Sequence, residues 1–135
     1  MMATTEKTML ILIAGPYRSG SNDVPAHMSR NLRALEEYAL PLYQAGHLPV
    51  IGEWVALPII REAGSVCVGD PIYQEYLYPV ASRLLERCDA VLRIPGESKG
   101  ADQDVAIARQ RGLPVYFRLE DVPRAAGAAQ KGNAA

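Results

Sequence analysis

The chain is poor in the residues that build redox centres, metal sites and polyanion-binding faces. Two cysteines, Cys67 and Cys88, and two histidines, His27 and His47, are all it has in 135 residues. Neither cysteine stands at a metal-ligand spacing from the other or from a histidine, so no zinc cluster is expected. Both thiols are read as buried and reduced rather than as a disulfide. An excess of one charge is missing too: 14 Lys and Arg against 15 Asp and Glu leave a net charge of −1. That excludes the basic footprint of a general nucleic-acid binder. It leaves room for one small anion site, because a single arginine in a pocket hardly changes the total. Long apolar runs are absent as well; the longest, residues 9–15, is far short of the ~20 needed to span a bilayer. Residues 1–7 hold one lysine and one glutamate, and no small-residue cleavage pattern follows them. No signal peptide is therefore expected, and the expected location is the cytoplasm.

What is present is the balance of a globular domain, 49% hydrophobic and 21% charged, long enough to bury a core without staples. Residues 8–14 are continuously apolar and stop at Gly15-Pro16, the habit of a strand covered on both faces. A loop rich in Gly, Ser, Asn and Asp follows. Pro25 then suits the first turn of a helix, whose apolar positions Met28, Leu32, Leu35, Ala39 and Leu42 fall at helical spacing. Pro41 is expected to kink or shorten its last turns and Gly46 to close it. Residues 47–52 read as a second strand. Residues 53–69 are the least legible, a short helix and then a loop. Asp70-Pro71 is a strong helix start, and that helix is expected to reach Cys88 with a bend at Pro79. Residues 89–94 read as a third strand, 101–110 as a helix stopped by Gly112, and 113–118 as the last strand. Residues 1–120 thus form a single α/β domain of three layers, with a mainly parallel sheet of four or five strands. Residues 121–135 have little to bury and are expected to be a mobile tail.

In open α/β sheets the ligand crevice lies beyond the carboxyl ends of the strands, where strand order reverses. Two loops leave strand ends and enter helices here: Gly15-Pro16-Tyr17-Arg18-Ser19-Gly20-Ser21 and Pro95-Gly96-Glu97-Ser98-Lys99-Gly100. Each combines glycine, hydroxyl and one cation with a helix N-terminus, the ingredients of an anion site. Neither matches a phosphate-loop or dinucleotide fingerprint, and two ordinary turns would have the same composition. Asp102 and Asp104 fall in the first turns of the last helix, where acids also serve the dipole. Being two apart, at most one of them can face a pocket. Asp70 reads first as an N-cap and Asp89 as structural. Tyr73, Tyr76 and Tyr78 read mostly as packing, and Trp54 could line a base pocket.

Three segments, in this order, resemble the nucleoside 2-deoxyribosyltransferase superfamily, which includes hydrolases of deoxynucleoside 5′-monophosphates. They are Ile13-Ala14-Gly15-Pro16-Tyr17-Arg18-Ser19-Gly20, then Leu84-Leu85-Glu86-Arg87-Cys88-Asp89-Ala90-Val91-Leu92, then Ser98-Lys99-Gly100-Ala101-Asp102-Gln103-Asp104-Val105-Ala106-Ile107-Ala108 with Gly112-Leu113-Pro114-Val115 after it. The resemblance implies a flavodoxin-like fold and a catalytic carboxylate on the helix after the third strand, a position that falls on Asp104. It implies that this carboxylate attacks the anomeric carbon of deoxyribose. It further implies that Arg18 meets a 5′-phosphate, that Ser98 contacts ribose or phosphate, and that Gly15, Tyr17 and Gly100 line the same pocket. Two departures stand out. Asp104 is one methylene shorter than the glutamate usual there, and Ala81 occupies a position where many relatives have an aspartate. If that aspartate protonates the leaving base, Asp70 or Asp102 would have to substitute.

The chemistry explains the residue types. Breaking an N-glycosidic bond builds positive charge on the sugar, which a nearby carboxylate can stabilise or trap. An arginine and helix N–H groups can hold the distant phosphate and so position the sugar. The expected function is cleavage or transfer at the N-glycosidic bond of a deoxynucleoside or its 5′-monophosphate, with no metal and no cofactor. The alternative is a non-catalytic nucleotide-binding module on the same fold, which Ala81 and Asp104 would suit. A flavin carrier fits less well, because Pro16-Tyr17-Arg18 puts a ring and a charge where its phosphate loop needs hydroxyls and glycine. The expected partner is a small nucleoside or nucleotide, not a nucleic-acid polymer or a membrane. A homodimer or higher homo-oligomer is expected through exposed tyrosines of the Asp70 helix.

Overall fold

A computed structural model describes residues 4–5 and 7–126. Short strand β1 (Thr4–Thr5) precedes the central strand β2 (Leu10–Ala14), followed by α1 (Pro25–Glu36), α2 (Ala39–Gln44) and β3 (Leu48–Ile51). Then come α3 (Gly52–Glu62), α4 (Pro71–Leu85), β4 (Ala90–Arg93), α5 (Lys99–Gln110) and β5 (Val115–Tyr116). A 3₁₀ turn at Leu119–Asp121 leads to β6 (Arg124–Ala125).

The main sheet has four strands, all parallel, in the order β3-β2-β4-β5. This is the flavodoxin-like arrangement, with β2 inside and the order reversing between β2 and β4. Alternation along β2 sorts the layers. Ile11 and Ile13 pack with Leu35 of α1 and Leu42 of α2, while Leu12 and Ala14 pack with Leu85 of α4 and Val105 of α5. Both faces are covered, which is why the strand is apolar throughout. Each fully buried aliphatic side chain, such as Ile11 or Leu92, contributes roughly 1.5–3 kcal/mol. A third cluster, Ala56, Ile60 and Tyr73, joins α3 to α4.

The single helix expected over residues 25–45 is two helices. Pro41 lies in the first turn of α2, where its missing N–H is harmless. A continuous helix would have set its ring against the carbonyl of Glu37, so the chain turns at residues 37–38 and restarts. The segment 53–69 holds more helix than expected: α3 runs from Gly52 to Glu62 with Pro58 inside. α4 ends at Leu85, short of Cys88, and only Val115 and Tyr116 of the last expected strand pair with β4.

The packed chain continues past residue 120. Val122 and Ala125 are buried, β6 pairs in parallel with β1, and Ala125 N–H donates to the Ala45 carbonyl. His47 ties this segment to the sheet: its Nδ1 accepts from Met9 N–H at 3.0 Å and its Nε2 lies 2.6 Å from the Pro123 carbonyl. The tail expected over 121–135 therefore begins inside a packed segment, and its remainder, 127–135, lies outside the described residues. Cys88 is buried as expected, but Cys67 is exposed, in the polar turn before α4. Among the described residues no helix is long and apolar enough to cross a membrane.

Candidate functional site

The carboxyl ends of β2 and β3 and the start of α5 open on a cavity of about 210 Å³. It sits on the α4–α5 face of the sheet, at the switch point where ligands bind in open parallel sheets. Gly15, Tyr17, Arg18, Ser98, Gly100 and Asp104 all line it. The two loops that feed it also touch each other: a Cβ on Gly96 would come within 2.7 Å of the Pro16 ring.

The first loop is rigidly held. Ser21 is buried, its hydroxyl bonds to the Arg18 carbonyl, and it accepts from Asp23 N–H at 3.0 Å. Asn31 of α1 donates to the carbonyls of Tyr17 and Ser19 at 2.7 and 3.3 Å. Asn22 and Asp23 adopt left-handed φ of 52° and 58°, which these two residue types tolerate better than most. Gly15 answers to packing: a Cβ there would meet Leu35 Cδ2 at 2.6 Å and Ile94 Cβ at 3.0 Å. Its backbone can reach the cavity only because it has no side chain.

Arg18 lies with its guanidinium carbon 5.9 Å from the centroid of the Tyr73 ring, and its tip fills the space beside Gly69 that a Cβ would occupy. It is not free. Asp23 grips it bidentately, Nε to Oδ1 at 2.7 Å and Nη2 to Oδ2 at 3.0 Å. This is the fork geometry by which arginine holds carboxylate or phosphate.

Ser98 is buried and caps α5, accepting from Ala101 N–H at 3.1 Å. Its hydroxyl hydrogen is still available to donate. A Cβ on Gly100 meets nothing within 4 Å, so this glycine keeps space open in the cavity wall.

Asp104 projects from the cavity face of α5, half-buried. Burial pushes its carboxyl up to about 7, the neighbouring Glu53 charge adds to this, and Arg93 opposes it. Asp102 faces away, as spacing of two requires. Its Oδ1 accepts from Arg93 Nη2 at 2.9 Å, and Arg93 also donates to the carbonyls of Ile94 and Gly96. Asp70 is the N-cap of α4, accepting from Tyr73 N–H and Ser65 hydroxyl at 2.8 Å each and from Val66 N–H at 2.9 Å. The Tyr73 N–H bond leads these donors in pulling its carboxyl down to about 2. Asp89 is structural too, accepting from Leu10 N–H at 2.9 Å.

Glu53 was not legible as a site residue. It follows β3 directly, in the first turn of α3, and lines the cavity with Asp104. Burial raises its carboxyl, partly offset by its own backbone N–H. Its charge in turn helps raise Tyr17 and Asp104, and helps push Tyr73 up to about 12. The available signal was position: an acid just past the carboxyl end of a parallel strand points towards the crevice. Tyr73 is buried at the α3–α4 contact and also lines the cavity. Tyr78 lines it while 44% exposed, and Ala81 lines it too. Trp54 does not; it is exposed and donates to Glu36 at 2.8 Å. Among the described residues no three His, Cys, Asp or Glu side chains stand together to hold a metal ion.

No protein-family model matches this chain, and no curated protein matches it by sequence. What stands is an α/β fold with a parallel sheet and a cavity at its switch point.

Proposed function

We propose that the protein cleaves or exchanges the N-glycosidic bond of a deoxynucleoside or deoxynucleoside 5′-monophosphate, as the resemblance to the nucleoside 2-deoxyribosyltransferase superfamily implies. The observation that supports this reading is the meeting of Asp104 and Arg18 at one cavity, although they come from different crossovers. In this reading Asp104 is the nucleophile towards the anomeric carbon. Arg18, exchanging Asp23 for the ligand, holds the 5′-phosphate, with Ser98 and the first turn of α5 beside it. Gly15, Tyr17 and Gly100 shape the wall. Two half-buried carboxylates also suit a substrate that becomes positively charged at the transition state.

A nucleotide-binding module without turnover is the second reading, favoured by Ala81 lining the cavity where an acid would serve catalysis. Incubation with the four deoxynucleoside 5′-monophosphates and the matching deoxynucleosides, with and without a second free base, separates the two. Release of base supports a hydrolase, exchange supports a transferase, and binding with neither leaves the module. The proposal includes pairing of two copies near exposed Tyr78; a monomeric mass in light scattering contradicts that part.

A further inference from the structure

We propose that Glu53 is the acid that protonates the departing base. This role rests on the N-glycosidic reading above. It begins from a count of acids: among the residues lining the cavity, Glu53 and Asp104 are the two carboxylic acids. Ala81 lines the same cavity and cannot donate a proton. Asp70 is fully engaged as an N-cap, and Asp102 is bound to Arg93 on the other face of α5. Neither substitute that chain position suggests is available. Glu53 enters from a different wall, α3, so that a substrate can lie between it and Asp104.

The groups that face Glu53 are Tyr17 from the first loop, Tyr73 from α4 and Asp104 from α5, with Arg18 beyond Tyr73. Arg18 is gripped by Asp23, and Arg93, which partly offsets the rise at Asp104, is bound to Asp102 outside the cavity. Burial raises both carboxyls and the Glu53 charge adds to the rise at Asp104, so ionising one favours the protonated form of the other. Positive charge growing at the anomeric carbon favours the ionised form of the carboxylate that attacks it, Asp104. The remaining proton is then on Glu53.

The step balances. An Asp104 oxygen bonds to C1′ as the C1′–N bond breaks; its electron pair passes to the base nitrogen system, which takes the Glu53 proton. Water then adds to C1′, its proton returns to Glu53, and the Asp104–C1′ bond breaks to free the sugar. With a second base in place of water the same sequence gives exchange.

The test compares ordinary deoxyguanosine 5′-monophosphate with its N7-methylated form, whose base already bears positive charge and needs no proton to leave. Glu53→Gln should lower the rate at least about 10²-fold on the ordinary nucleotide, the usual contribution of a general acid. On the methylated nucleotide the loss should stay within a few-fold, which also reports that the variant is folded. The alkaline limb of the wild-type pH–rate profile should be absent from the variant. Equal losses on both nucleotides, or no loss on either, overturn the role of Glu53 while leaving the N-glycosidic reading intact. Absence of cleavage of either nucleotide by the wild-type protein overturns that reading and this role together.

Discussion

Asp104 and Asp102 leave the same helix two residues apart and meet opposite surroundings; so do Glu53 and Asp70, each in or beside the first turn of its helix. Outside the cavity, Asp102 has Arg93 and Asp70 has backbone and hydroxyl donors. Inside it, Glu53 is desolvated, with its own backbone N–H in partial offset, and Asp104 has desolvation and the Glu53 charge, opposed by Arg93. Donors stabilise the ionised form and pull a carboxyl down; burial without donors pushes it up. Asp70, near 2, and Asp104, near 7, mark the two ends of that range. The outer acids hold the walls in place. Of the inner ones, Asp104 keeps the capacity to change protonation state near neutral pH, which is what acid–base and nucleophilic chemistry uses.

The strongest way to break this contrast is to neutralise one acid of the α5 pair at a time. Asp104→Asn should lower base release at least about 10³-fold, because the attacking oxygen is lost. Asp102→Asn should change the rate by less than about threefold, since the Asp102 side chain is largely exposed and lies outside the cavity. Steady-state rates on the best deoxynucleotide check both. Similar losses in the two variants would mean that the faces of α5 are not functionally distinct.

The next effect is on stability and has a definite sign. Asp104 keeps its proton in the folded chain to about pH 7, against an ordinary value of 3.8 when unfolded. Between those values the folded state binds more protons than the unfolded one, so stability declines as pH rises through that window. The decline is on the order of 1–3 kcal/mol, allowing for solvent screening of a half-exposed group. Urea unfolding at pH 5 and pH 8 should show it. Asp104→Asn should remove the Asp104 part of the slope and leave the part due to Glu53, which has the same sign. Asp70 works in reverse. Its lowered carboxyl stabilises the fold above the unfolded value and ceases to do so as pH falls through about 2. Asp70→Ala should therefore lower the melting temperature by a few degrees at pH 7, with the difference from wild type shrinking between pH 4 and pH 2. Asp70→Asn, still a good N-cap, should lose less.

Much of this arrangement was legible before any coordinates. Continuous apolar strands, helix-period spacing from Met28 to Leu42 and the Asp70-Pro71 start fix the three layers, because those signals are local and strong. Spacing alone required Asp102 and Asp104 to part. The expected site residues meet at one cavity because parallel sheets send successive strand ends to the same edge. What could not be read depends on contacts far apart in the chain. Glu53 looks like an ordinary first-turn acid until α4 and α5 close over it. Asp23 reads as a loop residue, with nothing local to show that it folds back on Arg18. Val122 looks unsupported until His47, 76 residues away from Pro123, anchors the segment beside it. The restart after Tyr38 also follows from a clash that a helical wheel does not contain.

The finest distinction concerns Arg18, the cation of the cavity wall that is held by an acid from outside it. If Asp23 occupies the fork that a phosphate would take, the two compete. Removing the Asp23 charge should then favour ligands with a 5′-phosphate and leave those without it unchanged. Asp23→Asn is the appropriate change, because asparagine tolerates the left-handed φ of 58° at this position where alanine would strain the loop. The affinity ratio of 5′-monophosphate to nucleoside should rise about two- to fivefold, the modest scale of an exposed ion pair. Raising the salt concentration should shrink the gain, since both partners are partly in solvent. Calorimetric titration of the two ligands into both proteins measures it. An unchanged ratio would place the phosphate elsewhere and leave the Arg18–Asp23 pair as a brace for the loop.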